Sequence, residues 1–191
     1  MKLNRIIAIG AVLLSATAYS QVIIGDAIGT ATTKTSVLLE FANTSNKGII
    51  LPYVRTKPSA PTEGTIILDA STPTAARIKY YNGVTTGTGN SPDGWQDLSG
   101  QDGNVTAALA NQPTPAQVTE DTNAKAIIGA NISSADGVLV LESATKAMVL
   151  PTVASTDDVP SPGPGMMVYI KKAGAKRLAV YNGSKWSYWK P

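Results

Sequence analysis

The sequence contains no cysteine and no histidine. Without cysteine there can be no disulfide, no thiolate nucleophile, no thiolate metal ligand and no anchor through a lipidated N-terminal cysteine. Without histidine the commonest general acid/base and metal ligand is gone. Together the two absences exclude Ser-His and Cys-His nucleophile pairs and most zinc centres. Acid–base chemistry would rest on carboxylates, of which Asp157-Asp158, Glu120-Asp121 and the Asp93/Asp97 pair are the candidates. A glycosidase holds two carboxylates roughly 5 to 9.5 Å apart across a sugar, whereas sequence neighbours on polar loops read as solvated acids. Asp102-Gly103-Asn104 is a fragment of the alternating Asp/Asn-and-Gly pattern of a calcium loop and no more. The chain is expected not to be an enzyme and to need no cofactor or metal.

Long apolar runs are scarce too. One stands out, Ile6 to Leu14, preceded by Lys2 and Arg5 and followed by Ala18 and Ser20. A positive start, an apolar stretch and small residues at −3 and −1 make a signal peptide over 1–20, cleaved before Gln21. The run falls short of the roughly 20 apolar residues that span a bilayer. No later stretch reaches that length, so no membrane span is expected in the mature chain. Export to the periplasm, the cell surface or the extracellular space is expected.

Charge of one sign is not in excess. Removing residues 1–20 leaves 14 Lys and Arg against 13 Asp and Glu, so the basic pI belongs largely to the leader. Nucleic-acid binders show a concentrated basic stripe. Here only Lys171, Lys172, Lys176 and Arg177 cluster, around a predicted turn, and they read as a solvated hairpin. No nucleic-acid partner is expected.

What the chain does contain is repetition. Ile23-Ile24-Gly25 recurs as Ile127-Ile128-Gly129, and Val37-Leu38-Leu39-Glu40-Phe41 as Val138-Leu139-Val140-Leu141-Glu142. Lys47-Gly48-Ile49-Ile50-Leu51-Pro52 matches Lys146-Ala147-Met148-Val149-Leu150-Pro151. Gly64 and its apolar run match Gly165 and Met166 to Tyr169. Tyr81-Asn82-Gly83 with Trp95 matches Tyr181-Asn182-Gly183 with Trp186. The offsets stay between 99 and 104 until an insertion at Val84 to Asp93 moves the first tryptophan. Landmarks in one order at near-constant spacing imply two tandem copies of one unit.

Within each copy the apolar runs are short, rich in Val, Ile and Tyr, and bounded by Gly, Pro and Asn, which predicts strands. Asn182-Gly183 predicts a two-residue hairpin, because both residues tolerate positive φ. Pro52 and Pro151 cannot donate to a ladder and should end strands or sit on an edge. The expected fold is mainly β. Two small meander units span 21–98 and 127–191, and a flexible linker over 99–126 carries a short helix near Val105 to Asn111. Units this small without disulfides need another source of stability: packing on each other, a metal, or oligomerisation.

These same residues resemble a repeat unit of secreted Bacteroidota surface and fibre-like proteins, seen also in phage tail-fibre-like proteins. The resemblance rests on Ser36 to Glu40, Lys47-Gly48, Pro52, Pro61-Thr62-Glu63-Gly64 and Tyr81-Asn82-Gly83 in the first copy. In the second it rests on Leu141-Glu142, Thr145-Lys146, Pro151, Pro162 to Gly165, Tyr181-Asn182-Gly183 and Trp186. The double proline and arginine common after the apolar run are replaced by Pro52-Tyr53-Val54-Arg55 and Pro151-Thr152-Val153. The resemblance implies a structural surface role and self-association, a trimer being one form of it. It supplies no catalytic residues.

Trp95, Trp186, Trp189 and Tyr188 are the candidate ligand or interface aromatics. Strand alternation puts Trp186 and Trp189 on opposite faces, so one face is core and the other an exposed or subunit-contacting surface. The expected function is a structural or interaction module of a surface or extracellular assembly. The alternative is a carbohydrate-binding or adhesion module whose partner is a glycan.

Overall fold

The computed structural model describes residues 21–42, 46–114, 116–119, 121 and 123–189. Residues 1–20, where a signal peptide is expected, and Glu120 lie outside the described residues.

The first half of the chain forms β1 (Val22–Ile24), β2 (Val37–Phe41), β3 (Ile49–Ile50), β4 (Tyr53–Val54), β5 (Ile66–Asp69), β6 (Arg77–Tyr81) and β7 (Trp95–Asp97). Helix α1 (Thr106–Ala110) follows. The second half forms β8 (Ala126–Ile128), β9 (Leu139–Leu141), β10 (Ala147–Val149), β11 (Thr152–Val153), β12 (Met166–Ile170), β13 (Arg177–Tyr181) and β14 (Trp186–Trp189), with a 3-10 turn at Thr156–Asp158. The protein is mainly β, as its strand-sized apolar runs predict.

Two meanders dominate. One is β4-β5-β6-β7, the other β11-β12-β13-β14. In each, a two-residue strand just after a proline lies parallel to the next strand, and antiparallel hairpins follow. Pro52 and Pro151 have no N–H to give, but their carbonyls accept from Leu68 and Tyr169 at 2.9 and 2.8 Å. Each proline therefore ends one strand and starts the next pairing.

The turn after β13 differs from the expected two-residue hairpin. β13 ends at Tyr181 and β14 starts at Trp186. Asn182 is fully buried, and its side-chain oxygen accepts from the N–H groups of Ser184 and Lys185 at 2.9 Å each. Its amide donates to the Gln101 carbonyl at 2.7 Å. An asparagine held from both sides closes a four-residue loop where an Asn-Gly pair alone would close a tighter one.

The two halves are not independent. β3, from the first half, pairs antiparallel with β12, and β10, from the second, pairs parallel with β2. One core follows from that exchange. Leu51, Leu68 and Ile78 of the first half pack with Met167 and Val180 of the second. A smaller core on the other face of the second meander gathers Val153, Val159, Met166, Val168, Ile170 and Ala179.

The segment expected to be a flexible linker is built into this core over residues 99–112. Gly103 bridges to Ala76, with N–H to carbonyl distances of 2.8 and 2.9 Å. Val105 and Leu109 are buried among the large core's residues. A five-residue helix is far too short to hold by itself, so α1 exists because those two side chains are buried. Its Ala-rich sequence is suited to helix but does not announce the burial.

Candidate functional site

The predicted aromatics divide by face. Trp95 is almost fully buried and stacks at a tilt on Tyr81, with ring centroids 5.3 Å apart. Trp186 repeats the arrangement on Tyr181 at 5.2 Å, against the smaller core. Trp189 points the other way, 48% exposed, and its indole N–H donates to the Leu98 carbonyl in the first half. With Tyr80, Leu98 and Leu178 it lines a shallow groove of 530 Å³ where the two meanders meet. Tyr188, 46% exposed, lies on the opposite face of β14. Its hydroxyl is 2.9 Å from Thr156 Oγ1, and the Arg177 guanidinium sits 5.0 Å from its ring centroid. These residues with Ser155, Asp157 and Lys172 border an open groove of 360 Å³. Arg177 Nε has no hydrogen-bond partner among the described residues. The four aromatics are thus spread over several places: two structural stacks and two separate surfaces.

The candidate acids are tied up in the scaffold. Asp97 accepts from Arg77, which also holds Asp102 at 2.8 Å. Burial pushes the Asp97 carboxyl up, but Arg77 and the Ser99 and Gly100 donors hold it below the usual range. Asp69 behaves alike, with Lys79 at 2.8 Å and Ser71 outweighing burial. Asp93 pairs with Lys57. Asp157 and Asp158 cap the 3-10 turn with Ser155. Among the described residues no three acidic side chains converge as a metal would require.

Glu40 escaped the sequence reading. It is fully buried, with Thr30 and Ala31 donating backbone N–H groups at 3.2 and 2.9 Å and Lys34 closing an ion pair. Burial raises its carboxyl, yet Lys34 and those amides hold it below the ordinary carboxylate range. It fastens the loop between β1 and β2. The available signal was a glutamate ending an apolar run in both copies, since Glu142 likewise reaches back to Ser133 in the loop between β8 and β9.

Strand edges are the remaining exposed feature. The outer edge of β9 carries no partner strand among the described residues, and Val138 and Leu139 beside it are 58% and 49% exposed. Unpaired N–H and C=O groups flanked by apolar side chains are a template for another strand.

Residues 127–190 match a phage tail like trimerisation region. The match begins inside β8, at Ile127, takes in all of β9 to β14, and so contains the β9 edge. No curated protein and no solved structure matches the chain. A trimerisation region in a β-rich chain supports protein self-association and a fibre-like structural module. Among the described residues no helix is long and apolar enough to cross a membrane.

Proposed function

We propose that the protein is an exported, non-enzymatic structural module of a cell-surface or extracellular assembly, built from two copies of the Bacteroidota-type unit. Its partner is first of all itself, and a trimer is the form the matched region favours. The observation that carries this reading is the trimerisation match over a half whose β9 edge is apolar and has no partner strand among the described residues. Two duplicated meanders with matching tyrosine–tryptophan stacks fit a unit used as a building block. The test is the molar mass of the exported chain by size-exclusion chromatography with light scattering. An oligomer supports the reading, and a monomer at all accessible concentrations overturns it.

A second reading is favoured by the groove beside Tyr188. An aromatic face, a guanidinium and a hydroxyl around 360 Å³ form the kind of surface on which a sugar ring stacks and hydrogen-bonds. Glycan-array binding lost on Tyr188→Ala, with the chain still folded, would establish an adhesion role. An empty array from the wild-type chain removes it.

A further inference from the structure

We infer that the protein docks head to tail on a second copy of itself, repeating between chains the strand exchange that its two halves make within one chain. The inference rests on the self-association reading above and adds the surface and the strands.

The two meanders fix a correspondence. Tyr53 and Val54 pair with Leu68 and Asp69, as Thr152 and Val153 pair with Tyr169 and Ile170. Counting back along the strands, Ile66 corresponds to Met167, Thr65 to Met166 and Gly64 to Gly165. The glycines agree, each donating its N–H at 2.8 Å to the carbonyl of Tyr81 or Tyr181.

The surroundings of the corresponding residues differ. Met166 and Met167 carry β3 on their free edge, paired to Ile50 and Ile49, and Leu51 N–H donates to the Gly165 carbonyl at 3.1 Å. Among the described residues Thr65 and Ile66 carry no such strand. A Cβ at Gly165 would meet Leu51 and Tyr53 of the first half, whereas at Gly64 it would meet nothing within 4 Å. The same asymmetry holds for the other sheet. β2 accepts β10, while β9, its counterpart, takes no strand besides β8 among the described residues.

Each half therefore gives away the strand before its proline. The first half gives β3 to the second half's β12, and the second gives β10 to the first half's β2. A twofold exchange would put β10 on β5, and it is not there. Donation thus runs one way round and leaves two unlike, complementary ends, the geometry of a heterologous contact. One end presents β9 and the outer side of β10. The other presents the Thr65–Ile66 edge and the outer side of β3. A second copy fits by laying its β3 on β9 and receiving β10 on its β5, with Val149 opposite Thr65 and Met148 opposite Ile66. Apolar strands meet an apolar edge, and no unpaired backbone remains exposed there.

The chain's lack of cysteine makes the contact testable. Thr65→Cys and Val149→Cys chains, each with its own tag, are purified, mixed and mildly oxidised. A disulfide-linked heterodimer in the mixture, several-fold above either variant alone and above Thr65→Cys mixed with Lys176→Cys, is expected. Thr65→Lys, at a partly buried position, gives a second readout. It should lower the molar mass of the assembly while far-UV circular dichroism keeps the native β signature. An oligomer that neither cross-links at this pair nor responds to Thr65→Lys overturns the docking geometry and leaves self-association standing. A wild-type chain that is monomeric in light scattering overturns both.

Discussion

Gly64 and Gly165 open the same strand in the two meanders with positive φ of 88° and 76°, yet only Gly165 is covered, by Leu51 and Tyr53 of the other half. Positive φ is cheap only for glycine, so the backbone requirement is shared while the environment is not. The pair marks where the exchange between halves is completed and where it is left open.

The exchange should be sensitive to a single methyl group. A Cβ on Gly48 would stand 2.4 Å from Met166 Cγ and 2.7 Å from the Met167 carbonyl oxygen. Gly48→Ala should destabilise the chain by about 2 kcal/mol or more through overpacking and lost β3–β12 pairing. Gly174→Ala meets nothing and adds only left-handed strain of about 1–2 kcal/mol. Urea midpoints of the two variants compare the costs.

Residues that read as linker should behave as core. Leu109 is 4% exposed among side chains from both halves. Leu109→Ala should cost about 2–5 kcal/mol. Because the halves share that core, fluorescence of Trp95 and of Trp186, followed in single-tryptophan variants, should report one coincident unfolding transition. Two separated transitions would show that the halves unfold independently.

Acid should loosen the protein. Glu40, Asp69, Asp93 and Asp97 all have carboxyls held below their ordinary values. The unfolded chain then binds more protons than the native one at low pH, so stability falls as pH falls. The contribution is fully present above the ordinary carboxylate pKa of about 4 and is lost progressively as the pH drops through the depressed values. Thermal melts at pH 7, 5 and 3 should show little change over the first interval and a marked drop over the second. Glu40→Gln should be less stable at pH 7 and lose part of that acid dependence.

Tryptophans should separate by burial. Trp95→Ala removes a 3% exposed ring stacked on Tyr81 and should cost about 3–5 kcal/mol. Trp189→Ala removes a half-exposed ring and one hydrogen bond to Leu98, and should cost about 1–2 kcal/mol. Chemical denaturation distinguishes the two.

The strands and the tyrosine–tryptophan closures are local matters, and the sequence by itself determined them, whereas the loop at Asn182 is held in part by the distant Gln101 carbonyl. Short β-branched runs between Gly, Pro and Asn can do little else, and Tyr81 with Trp95 or Tyr181 with Trp186 are brought together by neighbouring antiparallel strands. The missing histidine and cysteine likewise narrow the chemistry open to the chain. The tertiary structure alone decided where β3 and β10 pair, that Val105 and Leu109 are buried, and that Glu40 anchors a loop. Each pre-proline strand offers the same apolar edge to either half, so local pattern cannot choose between partners about a hundred residues apart. That choice depends on which arrangement buries Leu51, Met167 and Val180 in one core while pairing the most backbone, and it is made only when the whole chain is packed.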